Sequence, residues 1–472
     1  MHRIKKLTAI LLCAGIMCLS SIEGVFAAQK PTGYHSIHLN IESPKESQQN
    51  KTYARSYAGY YNAAEQGLVT LVKNQGNTEL CWAFGLASLG ETSLIKQKKV
   101  KKNVDYSEKH LGYFMYNRTN DALNNTKGDA TKVSGNWKYS GGNAQLAMIT
   151  LTGWYGLANE STAPFNTNKW TLSSKLGQKD AAILKNGFFL GNNPSINVVK
   201  SYIKKYGSVV VAYHAPETTE EDEKFYDRSH KSYNCTLSED AANHIVTIVG
   251  WNDNYSRDKF GEASKPKRNG AWIIKNSWGN KGYTYISYED RSMCEFLSGQ
   301  FVKSSTYKYN YFYDGSANPS AYRLKKGQQI ANIYTAKKGT KKKKETLKAV
   351  NVVTMNPNVK YSIQIYKNPK KGKPTSGKKL LKRAMTGTIK EAGTHTIDLK
   401  QKVRLVKGEK FSIVIKIGST ALIGCDHSDN FGWIRFVNKT AKGQSYVCLK
   451  GNKWYDLYSA RLTMRIKAYT TT

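Results

Sequence analysis

Val72-Lys73-Asn74-Gln75-Gly76-Asn77-Thr78-Glu79-Leu80-Cys81-Trp82-Ala83-Phe84 decides how the chain is read. Its polar half gives way at Cys81 to a segment, Cys81–Lys96, with helix-forming composition and apolar residues at helical spacing (Phe84, Leu86, Ala87, Leu94). The pattern predicts a helix that starts at the cysteine. A thiol in that place meets the positive end of the helix dipole, which favours the thiolate and hence a nucleophile. Upstream of it, Gln75 offers a side-chain amide that can donate, together with the Cys81 backbone N–H, to the oxyanion of a tetrahedral intermediate. A lone cysteine is more often a buried structural residue, so the other parts of a nucleophilic site have to be present as well.

They are found further along. Asn243-His244-Ile245-Val246-Thr247-Ile248-Val249-Gly250-Trp251 puts a histidine at the mouth of an apolar strand, where one ring nitrogen can face Cys81. A second β-branched run, Ala271–Lys275, ends in Asn276-Ser277-Trp278-Gly279, so Asn276 can accept from the other ring nitrogen and fix the tautomer, with Trp278 covering that bond from water. The Gly279-Asn280-Lys281-Gly282 turn leads into an alternating strand at Tyr283–Tyr288, and Ala144–Leu157 reads as another helix. Helices first and strands afterwards make an α+β arrangement with two subdomains.

Taken together, these motifs resemble the papain family of cysteine proteases over most of residues 54–300. Gln75, Gly76 and Cys81-Trp82-Ala83-Phe84 match the family's nucleophile segment, His244 through Gly250 its histidine strand, and Asn276 through Gly279 its Asn-Ser-Trp-Gly signature. Ser107-Glu108, Gly141-Gly142, and Glu160-Ser161 with Pro164-Phe165 resemble further family features in the same order. The resemblance implies a two-subdomain protease with a helical left part and a β-barrel-like right part. It implies Cys81, His244, Asn276 and Gln75 as catalytic residues, Gly141, Gly142, Asn143, Asn243 and Trp278 as substrate-binding residues, and chemistry that needs no metal or cofactor. Thr78 and Tyr139 stand where the family commonly has a disulfide, so that bridge is expected to be absent. Glu79 and Leu80 replace small residues before the nucleophile, which puts an acidic group near the primed side of the cleft.

Around this core the chain divides into four parts. Residues 1–27 read as a signal peptide, with a basic start, the apolar run Leu7–Leu19 and Val25-Phe26-Ala27 before the cleavage point. Residues 28–53 are polar without sustained period and read as a flexible leader or short propeptide, too short for the long helical propeptide of many family members. The protease-like region is 54–305. From 306 to 472 strand candidates follow at short intervals (Lys348–Met355, Lys360–Tyr366, Thr394–Leu399, Lys410–Ile417, Trp433–Val437, Leu462–Tyr469), which predicts an antiparallel β-sandwich. Its segments Gly393–Leu399 and Val406–Val414 resemble the lectin-like domain of clostridial cell-wall cysteine proteases. Trp433, Trp454 and Tyr455 are candidates for stacking on sugars, although aromatics at strand spacing are more often core.

A formal net charge of +38 favours polyanionic partners, and export without a nucleic-acid motif points to anionic cell-wall polymers or glycans rather than DNA or RNA. After signal cleavage no membrane span is expected. Five cysteines follow the signal peptide; Cys81 is the odd one, and Cys235 with Cys294 and Cys425 with Cys448 are the expected pairs. The reading is therefore a secreted cysteine endopeptidase, retained or not at a bacterial cell wall, acting on exported or surface polypeptides. The alternatives are a surface adhesin with an inactive protease-like domain and a cysteine amidase or transglutaminase acting on wall peptides.

Overall fold

The computed structural model describes residues 32–36, 57–279 and 283–472. The expected signal peptide, most of the leader and part of the 279–282 turn lie outside them. The helix that begins at Cys81 runs Cys81–Lys96, as its composition predicts, and is buried along almost its whole length. It is sandwiched between the helices Glu108–Tyr116 and Ala144–Thr152 and the strands His244–Asn252 and Cys294–Lys303. Gly85 allows the approach on the strand side, because a Cβ there would stand 3.0 Å from the Ile245 side chain. The helix predicted to reach Leu157 stops at Thr152. Gly153 caps it, and Trp154, at a φ of 63°, turns away to pack on Tyr469 with ring centroids 5.2 Å apart. Tertiary packing here overrides a favourable local pattern.

The strands of the protease region form no closed barrel among the described residues. The antiparallel order runs Tyr283–Ser287, Ala271–Lys275, His244–Asn252, Val209–Tyr213, Cys294–Lys303, Ala182–Gly191 and then continues into Ala392–Leu405 of the C-terminal region. Ala182–Gly191 is thereby paired with a strand of the next domain. That junction is backbone-tight: Gly393, at a φ of +134°, would place a Cβ 2.0 Å from the Gly187 carbonyl oxygen. Side chains reinforce it, with Asn186 Oδ1 accepting from the Thr396 N–H at 2.8 Å and Lys185 paired to Asp398 at 2.6 Å. A second junction joins Ala130–Val133 to Ile434–Val437 in antiparallel register.

The C-terminal region is all β. One sheet contains Glu345–Thr354 between Ala392–Leu405 and Ile466–Thr471; the facing one contains Val359–Lys367, Lys410–Ile417, Gln329–Thr335 and Ser445–Cys448. Leu347, Val350, Ile363, Ile413 and Ile415 interleave between them as one apolar core. The predicted strand Lys410–Ile417 is found with the same bounds, whereas Leu462–Tyr469 is split into Thr463–Met464 and Ile466–Thr471.

The expected disulfides do not form: all five cysteines among the described residues are free and buried. Cys235 and Cys294 have separate partners, the Leu237 N–H for the first and the Tyr34 hydroxyl and Glu239 carbonyl for the second. Cys425 and Cys448 belong to different sheets. No helix among the described residues is long and apolar enough to cross a membrane.

Candidate active site

Cys81 is the first residue of its helix, and Leu80 at the cap supplies no side-chain acceptor. The thiol is fully buried, and burial pushes it up to about 12 against the pull of the Ile245, Trp82 and Cys81 backbone N–H groups. The dipole effect expected from sequence is thus outweighed while the thiol is covered.

His244 opens the adjacent strand. Its Nε2 lies 2.9 Å from Asn276 Oδ1, which also accepts from the Ser277 N–H at 2.7 Å and is thereby held in one orientation. Trp278 stacks on the imidazole with centroids 4.6 Å apart and planes 22° from parallel, and Tyr213 meets it edge-on. Behind them, buried charges tie the two halves of the site together. Lys73 bonds Glu91 of the Cys81–Lys96 helix at 3.1 Å and Glu108 at 2.8 Å, while Lys275, next to Asn276, donates to Thr70 at 2.9 Å and Thr70 in turn to Glu91. Lys73, Glu91 and Glu108 thus meet opposite charge, as burial demands, while Lys275 meets the Thr70 hydroxyl.

Gln75 is held by its own backbone, its N–H donating to the Ser277 carbonyl at 2.9 Å, and by Ser277 Oγ, which donates to Gln75 Oε1 at 2.6 Å. Its Nε2 donates to Thr78 O at 2.7 Å and to Thr32 O at 3.3 Å. The second of these acceptors belongs to the leader. Thr32–Ser36 lies across the site as an extended segment: Gly142 N–H donates to Gly33 O at 2.8 Å, His35 N–H to Gly142 O at 2.8 Å, and the Gly33 and Tyr34 N–H groups to Asn243 O at 3.1 and 2.8 Å. Tyr34 pairs with Gly142 in a parallel bridge. The close approach requires glycine on both sides, since a Cβ on Gly142 would stand 2.4 Å from Trp82 Nε1 and one on Gly33 2.5 Å from Glu79 O. The Glu79 carboxyl bonds the Gly141 backbone and so belongs to the glycine-pair side of the cleft, not the primed side expected for it.

Tyr34 sinks into a pocket at whose inner end Glu295 meets its hydroxyl. Asn143 caps its helix through Oδ1 and gives its Nδ2 to Glu295 Oε2 at 2.8 Å. Burial pushes the Glu295 carboxyl up to about 7. Asn243 uses its side chain to brace the neighbouring loop, accepting from Ala215 N–H at 2.7 Å and donating to Glu217 Oε1 at 2.9 Å. On the other side of Asn276 and Trp278 a cavity of ≈ 260 Å³ opens, lined by Tyr213, Tyr226, Tyr233 and Arg228. All nine residues singled out from sequence therefore gather at one cleft. Sequence reasoning did not find Tyr34, Glu295 or the cleft-facing place of Trp433; none of them belongs to a recognisable motif.

Residues 59–304 match the family described as papain family cysteine protease. The chain belongs to that family. Residues 308–470 match the lectin-like domain family. The papain-family region is 25% identical to mouse cathepsin M over 239 residues, 50% of this chain and 62% of that protein. It is 27% identical to the senescence-specific cysteine protease SAG12 of Arabidopsis thaliana over 246 residues, 51% of this chain and 59% of the relative. The match thus spans 62% and 59% of these two relatives' lengths. Both domains together resemble a solved structure of the clostridial cysteine protease Cwp84 after propeptide cleavage, at 26% identity and a TM-score of 0.72 over 88% of this chain and 99% of that one. The same two-domain fold is found in the cysteine protease and lectin-like domains of Cwp84, a surface layer associated protein of Clostridium difficile, at 24% identity and a TM-score of 0.73 over 94% and 93% of the two chains.

Proposed function

We propose that the protein is a secreted cysteine endopeptidase whose cleft is closed by its own leader. Cys81 attacks the scissile carbonyl as thiolate, and His244 takes the thiol proton and returns it to the leaving amine. Asn276 holds the imidazole in the productive tautomer, and Trp278 keeps water from the His244–Asn276 bond. Gln75 Nε2 and the Cys81 N–H receive the oxyanion; the Thr32 carbonyl that Gln75 now bonds stands in for the substrate's. Water then releases the acyl group from Cys81, with His244 again as base.

The observation that carries the reading is the convergence on one cleft of the His244–Asn276 pair, Gln75, the first residue of an uncapped helix and a glycine pair already engaged with peptide backbone. While Thr32–Ser36 stays in place, the thiol is buried and no substrate can reach it. Departure of the leader is the activating step.

Substrates are polypeptides outside the cytoplasm. The surface-layer association of the two-domain relative and the signal-like residues 1–27 support action at a cell surface. There the lectin-like domain would bind carbohydrate, and the basic surface anionic wall polymers. The test is hydrolysis of a fluorogenic peptide library by the protein with and without residues 28–53. The shortened protein should cut, and an epoxide inhibitor should stop it through Cys81; equal inactivity of both folded forms contradicts the proposal.

A further inference from the structure

Trp433 belongs to the C-terminal domain, just before the strand Ile434–Val437 that pairs with Ala130–Val133 of the protease domain. That junction carries it to the cleft. Its carbonyl accepts from the Ser134 N–H at 3.3 Å, and its half-buried ring packs against the protease core. The His35 imidazole lies on it, with centroids 4.7 Å apart and planes 31° from parallel. Gly141 also lies against His35, and its absent Cβ leaves room for the ring: a carbon there would stand 2.3 Å from His35 Cδ2. Partial burial lowers the affinity of this imidazole for a proton, so the contact at neutral pH is between two uncharged rings.

The groups bonded here on the leader are its main-chain ones. Gly142 N and O and the Asn243 carbonyl bond the backbone of Gly33, Tyr34 and His35, and Asn143 Nδ2 reaches His35 O at 3.3 Å. Such groups do not distinguish one sequence from another. A substrate laid on Gly142 would present its side chains at the same two places, the Glu295 pocket for the residue opposite Gly142 and the face of Trp433 for its neighbour. The first place is built by the protease domain alone. The second exists only where the two domains meet.

Resting on the protease reading above, we propose that Trp433 is a substrate-binding residue: the C-terminal domain supplies one wall of the peptide cleft, which selects a planar side chain (histidine, tyrosine, phenylalanine or tryptophan) next to the residue in the Glu295 pocket. The sugar-stacking role suggested for Trp433 by its sequence gives way to a role in peptide recognition. In the leader, His35 fills this place.

Two measurements on the full-length protein test it. The first is the rate at which iodoacetamide alkylates Cys81, followed by mass spectrometry, in the wild type, His35→Ala, Trp433→Ala and the double variant. Each single change should speed alkylation about 3- to 10-fold, as expected for loss of one stacked pair, and the double variant should be no faster than the faster single one. Additive effects overturn the contact. The second measurement compares kcat/KM for two peptides carrying tyrosine beside either histidine or alanine, with the variable residue placed before and after the tyrosine. Competition from the leader lowers both values alike and leaves their ratio untouched.

Wild type and Trp433→Phe should prefer the histidine peptide about 3- to 10-fold in one of the two orders, through KM, and Trp433→Ala should show no preference. Tyr455→Ala, an exposed aromatic of the same domain, should match wild type. A preference that survives Trp433→Ala, or a wild type without one, overturns the substrate role even if the alkylation cycle is coupled. If no peptide is cut while Cys81 alkylates as described, the protease reading itself fails and the substrate role falls with it.

Discussion

His244 Nε2 and Asn276 Oδ1 are 2.9 Å apart, roofed by the Trp278 ring. On the proposed mechanism Asn276 fixes the imidazole tautomer that turns the other ring nitrogen toward the thiol. Asn276→Ala should lower kcat by about 10²-fold, within the range that general acid–base catalysis supplies, and leave KM within a factor of two. Steady-state kinetics separate this from a folding defect, which would lower the active fraction without changing the pH profile.

Tyr34 anchors the leader through a pocket, not only through its backbone. Tyr34→Ala should therefore raise both peptidase activity and Cys81 alkylation in the full-length chain, by about 10-fold or more, since burying a large aromatic side chain is worth about 1.5–3 kcal/mol. Unchanged rates would mean that the leader is held by Gly142 and Asn243 alone.

The same pocket predicts specificity. With the Glu295 carboxyl at its inner end, tyrosine, lysine and arginine should be preferred over leucine or phenylalanine opposite Gly142, and Glu295→Leu should reverse the order by about 10-fold in each direction. A positional library read on wild type and variant decides it.

Acidity tests the inter-domain contact around Asp129, which accepts from the Lys439 N–H at 2.7 Å and the Gly315 N–H at 2.9 Å. Burial and the nearby Asp426 push its carboxyl up to about 7. An acid whose pKa rises on folding contributes most below its unfolded value, near about 4, and that contribution is lost as pH climbs through about 7. Thermal stability should fall between pH 5 and pH 8, and Asp129→Asn should remove a part of the slope on the order of 2 kcal/mol. A variant with an unaltered slope contradicts the assignment. Gly393→Ala, by contrast, should destabilise the junction at every pH by roughly 2–4 kcal/mol, because Ala at that φ meets the Gly187 carbonyl.

How much of this the sequence discloses follows from how local each feature is. The Cys81 helix, the His244 strand and the Asn276 turn are each written in a few consecutive residues, and each is found where its pattern puts it. The pairing of Ala182–Gly191 with the C-terminal region was not legible, because the partner strand comes about 200 residues later in the chain. Thr32–Ser36 carries no periodicity, and much of its hold comes from backbone bonds that leave no mark in the sequence. Glu295 sits at a φ of 49° within a strand irregularity, where alternation no longer tells inside from outside. The cysteine pairs failed because nearness along the chain says little about whether two Cβ atoms face each other.

The central claim is that Cys81 is the nucleophile of a peptidase. Its most direct test is hydrolysis of a tyrosine-containing fluorogenic peptide under reducing conditions by the protein lacking residues 28–53, beside the same protein with Cys81→Ala and with an epoxide inhibitor. The wild-type site should cut and bind the inhibitor covalently at Cys81, and the variant should do neither. Equal hydrolysis by both proteins, or a folded wild type that neither cuts nor takes up the inhibitor, would contradict the account.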